Sequence, residues 1–239
     1  MVDRGQGIEV IGFDGDDTLW HNEPLFQAAQ DQFVELLAHY HDRAWMREQL
    51  YQTEMHNLDH FGYGIKAFAL SMIETAVELT EGRVTGQEVR ALIEVAKGML
   101  NAETRLLDGA AEAVARLAEN YRLMLITKGD LLDQEGKIRR SGLGDCFRDI
   151  EVVSGKSREA YEKVLRKHKL SAPRFLMVGN SLRSDIWPVL ELGGRAVWIP
   201  YAVEWAHEAA EEPAGREGYY RVTRIDELPE LLERIGDES

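Results

Sequence analysis

An intrachain disulfide is closed to this chain, because Cys146 is its only cysteine. A lone thiol cannot staple the fold from within, so stability must come from a packed core, and a reducing compartment suits it. No apolar run approaches the roughly 18 residues of a membrane span. The N-terminus shows no signal-peptide pattern, which leads to the expectation of a cytoplasmic protein. Basic residues are also short, 28 Lys and Arg against 42 Asp and Glu, for a net charge of −14. A chain this acidic repels phosphate backbones and anionic lipid, which argues against nucleic-acid and membrane partners. Internal repeats and low-complexity tracts are absent as well. What is present is 239 residues, 44% of them hydrophobic, enough to bury a core without metal or disulfide. That length fits either one large domain or a domain carrying an insert.

Hydrophobic patterning favours the second. Ile8–Phe13 is a short β-branched run ending at the acidic turn Asp14-Gly15-Asp16-Asp17-Thr18, and it reads as a buried strand. Similar runs stand at 123–127, 150–153, 175–179 and 195–199, with helical periodicity between them at 110–120, 131–141, 157–168 and 181–192. Alternation of this kind predicts an α/β fold, a Rossmann-like doubly wound parallel sheet with helices on both faces. The segment from 21 to 105 breaks the alternation with helical patterns at 24–39, 44–55, 65–79 and 85–100, the last opened by the capping-box spacing of Thr85 and Glu88. Residues 1–20 and 106–239 therefore read as the sheet core, and 21–105 as an inserted helical domain. Beyond Tyr201 the pattern is weak until a final helix at 225–235.

Four strand ends carry polar residues that a packed sheet does not require. These are Asp14 and Asp16, then Thr127 and Lys128, then Lys156, then Asn180, Ser181 and Asp185. Parallel strands open their carboxyl ends on one edge, where such sheets bind ligands. The set of carboxylates, hydroxyl, ammonium and amide suits one Mg²⁺ and one phosphate. Singly, each has an ordinary alternative: Asp-Gly-Asp-Asp as a solvated turn, Thr127 as a helix cap, Ser181 as another. Lys137 and Lys163 compete with Lys156 but fall within helical patterns, where solvated lysines are usual. Lys156 sits at a strand end just ahead of Ser157, a plausible N-cap.

Taken together these motifs resemble the haloacid dehalogenase superfamily of aspartate-nucleophile hydrolases, in its phosphatase branch. Phe13-Asp-Gly-Asp-Asp-Thr-Leu19 is similar to that family's first motif, Thr127 stands at the second, Lys156 at the third, and Gly179-Asn-Ser-Leu-Arg-Ser-Asp185 at the fourth. The 21–105 insert matches the position of a small helical cap. The resemblance implies that Asp14 attacks phosphorus and forms an aspartyl-phosphate, while Asp16 serves as acid and then base. It implies Mg²⁺ held by Asp14, the Asp16 carbonyl, Asp185 and Asn180, with Thr127, Lys128 and Lys156 on the phosphate. Substrate choice falls to the cap, where His60 and Lys66 flank the Gly62–Gly64 turn. One departure stands out. The fourth motif usually begins Gly-Asp, and Asn180 removes one negative charge from beside the ion, implying weaker or altered Mg²⁺ binding.

The expected partner is a small phosphorylated metabolite, and the reading is compatible with a homodimer. Dehalogenation of 2-haloacids by Asp14 is a competing reading, kept open by Asn180 but giving Asp16 no task. A phosphate-binding regulator without catalysis is another, weighed down by the intact Asp14/Asp16 pair. A response-receiver module fits poorly, since strand three ends without an aspartate. The acidity is unevenly spread: residues 106–203, which carry three of the four motifs, hold 16 basic against 13 acidic residues.

Overall fold

The computed structural model describes residues 7–203 and 205–237. The outermost residues of the expected core, 1–6 and 238–239, lie outside the described residues. Six strands form one sheet: β1 (Val10–Phe13), β2 (Arg122–Lys128), β3 (Asp149–Val153), β4 (Phe175–Gly179), β5 (Arg195–Trp198) and β6 (Tyr219–Arg221). Their order is β3-β2-β1-β4-β5-β6, and β1 runs parallel to both neighbours, with Phe13 level with Leu125 on one side and Val178 on the other. The chain leaves β1 toward β2 and later returns to β4 on its far side, so the order reverses at β1. Crevices form at such reversals, beyond the carboxyl ends of the strands.

The central strands are apolar on both faces because helices cover both. On β1, Ile11 and Phe13 enter a core with Leu125, Val178 and helix α5 (Ala110–Ala118), while Val10 faces Met124, Tyr161 and Phe175 on the other side. Side chains alternate across a strand, so β1 needs apolar residues at every position. Glu9 lies just before the strand, where its carboxylate is exposed to water and pairs with Arg174 at 2.9 Å, so it burdens no part of the core.

The chain divides into two compact units. One holds the sheet and comprises residues up to Glu23, Thr104–Thr127 and everything from Gly136 onward. The other comprises Pro24–Glu103 together with Lys128–Glu135. In the latter, helices α1 (Glu23–Leu37), α2 (Arg43–Phe61), α3 (Ile65–Leu79) and α4 (Gly86–Leu100) enclose a separate core that includes Phe33, Met46, Met72 and Leu92. The capping box forms: Glu88 N–H donates to Thr85 Oγ1 and Thr85 N–H to Glu88 Oε2. The short segment 128–135 is an addition to this unit that no pattern in the sequence marks.

Two elements differ from the sequence reading. β6 is new: it is three residues long, too short for a period-two signal, and is held by the edge of β5. The run at 181–192 is not one regular helix. Leu182–Ile186 winds as a π-helix before α8 (Trp187–Glu191), and Pro188 lacks the amide a continuous ladder would need. Wide turns of this type concentrate at functional sites.

Gly12 lets the Phe175 ring lie against β1; a Cβ there would stand 2.5 Å from Phe175 Cζ and 3.0 Å from Met177 Sδ. Gly12→Ala should therefore destabilise the protein by about 1–3 kcal/mol in urea denaturation, as overpacking of a rigid core does.

Candidate active site

Asp14 is the first residue beyond β1, and its N–H still donates to Val178 O at 2.9 Å, which fixes the backbone as the strand ends. Its Oδ1 accepts from Gly15 N–H at 2.8 Å and from Lys156 Nζ at 2.5 Å. Lys156 reaches in from the loop between β3 and helix α7 (Arg158–Lys167), whose N-cap is Ser157. The same ammonium donates to Asp185 Oδ1 at 2.7 Å. Asp185, fully buried, also accepts from Ser181 N–H and from the Tyr161 hydroxyl. Gly179 makes room for it, since a Cβ there would fall 2.3 Å from the Asp185 carboxyl carbon.

One cation thus bridges two buried carboxylates. Burial, reinforced by Asp185, pushes Asp14 up to about 7, against the pull of Lys156. The two carboxylates hold Lys156 protonated, well above the ordinary lysine range despite its burial. Burial and the same charges drive Tyr161 far up, so it stays a hydrogen-bond donor.

The turn after Asp14 wraps on the carbonyl of Gly15, which accepts from Thr18, Leu19 and Trp20 N–H. Asp17 sits at a φ of 59°, a left-handed conformation that aspartate tolerates, and its carboxylate accepts from Asn22 and Glu23 N–H. Asp16 turns the other way. Its Oδ1 accepts from Trp20 Nε1 at 2.6 Å, and both its oxygens accept from Lys137 Nζ. Lys137 is therefore not a solvated helix lysine: it is 5% exposed and belongs to the site.

A second convergence lies around Asn180. One terminal atom of its amide stands 3.2 Å from the Asp16 carbonyl, 3.3 Å from Asp14 Oδ2 and 3.1 Å from Thr18 Oγ1. With nitrogen at that position, the amide donates to its neighbours. With oxygen there, several oxygens meet, and a cation between them relieves the repulsion. Oxygens about 3 Å apart match adjacent positions around Mg²⁺ at roughly 2.1 Å. Among the described residues no cluster of three or more His, Cys, Asp and Glu side chains could hold a metal. The fit to a hard cation therefore rests on this mixed set of carboxylate, carbonyl and amide oxygens.

Thr127, near the end of β2, is 1% exposed and its hydroxyl has no hydrogen-bond partner. A buried unpaired hydroxyl costs about 1–3 kcal/mol, so this position asks for a ligand oxygen. It does not act as the helix cap that its sequence position allowed.

Asp14, Asp16, Thr127, Lys156, Asn180 and Asp185 all belong to the sheet unit, at the carboxyl edge of its strands. The remaining sequence candidates belong to the helical unit. There Lys128 Nζ lies 4.3 Å over the Tyr63 ring, and Lys66 Nζ pairs with Asp130 at 3.0 Å. His60 is exposed beside His56. Lys66 is thus paired within its own unit, with about half of its side chain still exposed.

Sequence reasoning missed four contributors: Trp20, Lys137, Tyr161 and Glu208. Glu208 comes from the weakly patterned stretch after β5, is 8% exposed, and accepts from the hydroxyls of Ser181 and Ser184. It ties that stretch to the π-helical turn carrying Asp185. No local pattern marks it, because its partners are 24 and 27 residues away.

A Rossmann-like sheet whose switch point gathers an aspartate pair, an orphaned threonine and a bridging lysine defines a class of α/β hydrolase. The family model of haloacid dehalogenase-like hydrolases matches residues 8–193, and the chain belongs to that family. It is similar to the crystal structure of a haloacid dehalogenase-like family hydrolase from Xanthomonas campestris, with 41% identity and a TM-score of 0.87, covering 98% of this chain and 94% of that one. Among curated proteins it is 28% identical to glyceraldehyde 3-phosphate phosphatase of Pyrococcus abyssi, over 81% of this chain and 82% of that protein. It is 27% identical to pyrimidine 5′-nucleotidase YjjG of Escherichia coli, over 66% of this chain and 73% of that protein.

Burial also pushes Asp17 up to about 7. Unfolded, an aspartate titrates near 3.9, so between these values the folded state binds more protons and gains stability as pH falls. In chelator, the melting temperature should rise from pH 8 to pH 6, and Asp17→Asn should flatten that rise.

Proposed function

We propose that this chain is a Mg²⁺-dependent phosphatase that hydrolyses a small phosphorylated metabolite through an aspartyl-phosphate on Asp14. The observation that carries the reading is the buried, unpartnered Thr127 hydroxyl at the same sheet edge as the Lys156-bridged Asp14. A hydroxyl donor and an ammonium beside a carboxylate nucleophile form a receptor for a phosphoryl group. The phosphatase names of the curated relatives support the same chemistry.

In the first half-reaction an Asp14 carboxylate oxygen attacks phosphorus, and the bond from phosphorus to the leaving oxygen breaks. Asp16 gives that oxygen a proton. Thr127 donates to a phosphoryl oxygen, and Lys156 offsets negative charge on both the phosphate and Asp14. In the second, Asp16 takes a proton from water, the water oxygen bonds to phosphorus, and Asp14 is released with inorganic phosphate. Splitting one displacement in two eases a reaction whose uncatalysed rate is among the slowest known. Asp14 Oδ2, the Asp16 carbonyl, the Asn180 amide oxygen and Asp185 would hold Mg²⁺, which supplies charge neutralisation for the phosphate. Attack on carbon with loss of halide would leave Asp16 and its partners without a task. The helical segment 21–105 serves in this reading as a cap, and Lys128, His60 and Lys66 of the helical unit are its candidates for substrate recognition.

The test is turnover of a generic aryl phosphate and a panel of phosphorylated metabolites. Wild type should release phosphate with Mg²⁺ and not with chelator, and Asp14→Asn should lower the rate at least about 1,000-fold. Activity that survives Asp14→Asn, or no phosphate release from any substrate, would overturn the proposal. Calorimetric titration should show Mg²⁺ binding that Asn180→Asp tightens on the order of tenfold, by restoring a charge. Because Asp14 must be ionised to attack, kcat/KM should fall as pH drops below about 7 at low Mg²⁺. Raising Mg²⁺ should move that limb to lower pH.

A further inference from the structure

We propose that Lys137 and the Trp20 indole form a clamp that positions Asp16 for proton transfer to the leaving group. The inference rests on the phosphatase reading and extends it to residues outside the four motifs. Lys137 Nζ stands 3.0 and 3.1 Å from the two Asp16 oxygens, and Trp20 Nε1 donates to Oδ1 at 2.6 Å. The ammonium is itself aimed by Asn22 Oδ1 at 2.7 Å.

Each part of the clamp is anchored elsewhere. Trp20 is 1% exposed, packs in the sheet core, and its carbonyl accepts from Asp17 N–H at 2.7 Å. Lys137 lies on helix α6 (Leu131–Ser141), next to Ile138, which packs into the same core. Two anchored donors on one carboxylate restrict it to a single orientation, whereas an aspartate on a solvated turn samples several. Orientation matters most for Asp16 because a general acid must lie within hydrogen-bond reach of the atom it protonates. Neither Lys137 nor Trp20 touches substrate in this scheme; both act through Asp16 and are positioning residues.

A clamp that merely closes the loop and one that positions a proton donor differ in leaving-group dependence. Release of 2,4-dinitrophenolate needs no proton, whereas release of an alkoxide does. kcat/KM reports only the steps through formation of the aspartyl-phosphate, so it isolates this effect. Lys137→Met should lower kcat/KM for an alkyl phosphate about 100-fold, yet keep that for 2,4-dinitrophenyl phosphate within about threefold. With the activated ester, kcat should fall and a burst of dinitrophenolate should appear, because water attack still needs Asp16. Lys137→Arg should recover part of the alkyl-phosphate loss. Trp20→Phe keeps an aromatic ring in the core and removes the indole donor, at the cost of some buried volume, so it should show the same selectivity should Lys137→Met fail to fold in a melting assay. An equal fall of kcat/KM across the ester series in these variants, or no fall, overturns the clamp while the phosphatase reading stands. A wild type inactive on every ester overturns both.

Discussion

The site depends on one ammonium placed between two carboxylates. Lys156 contacts Asp14 at 2.5 Å and Asp185 at 2.7 Å, and all three side chains are largely buried. Neither carboxylate could be buried without it, since an isolated charge in such surroundings costs several kcal/mol. The pair also cannot be simply collapsed. Two negative groups share one positive one, and the imbalance left over is what a divalent cation at Asp14 Oδ2 would offset. Burial, the Gly179 gap and the π-helical turn all bring Asp185 to where the lysine can hold it.

Much of this was legible in the sequence because it sits at strand ends. β1, β2 and β4 announce themselves as short apolar runs, and the first polar residues after them are the ones a parallel sheet collects on one edge. Asp14, Thr127 and Asn180 were found by that logic alone. Lys137 was misread for the opposite reason. It falls mid-helix, where periodicity reports which face is buried but not which buried lysine has an acidic partner 121 residues away. Glu208 and β6 were invisible because their order comes from long-range pairing rather than from any local propensity. Tyr161 lies inside the helical run 157–168, and only its hydroxyl contact with Asp185 marks it as part of the site.

The carboxylates around the β1 turn divide their work by orientation. Asp14 follows the strand direction into the Lys156 pocket, Asp16 turns to Trp20 and Lys137, and Asp17 turns back on the amides of Asn22 and Glu23. Three acidic side chains within four residues would repel one another on a flexible loop. Here each has its own set of donors, so like charges coexist at close range. Gly15, between the first two, supplies the carbonyl on which the turn closes.

Glu208 gives the site a dependence on chain order. Asp14, Thr127, Lys156 and Asp185 all precede it in the chain, so synthesis makes these four side chains before this carboxylate exists. Until residue 208 arrives, the hydroxyls of Ser181 and Ser184 lack their buried acceptor, and the turn that carries Asp185 lacks its brace. The turn that carries Asp185 is therefore braced by a residue made after every side chain that it helps to hold in place.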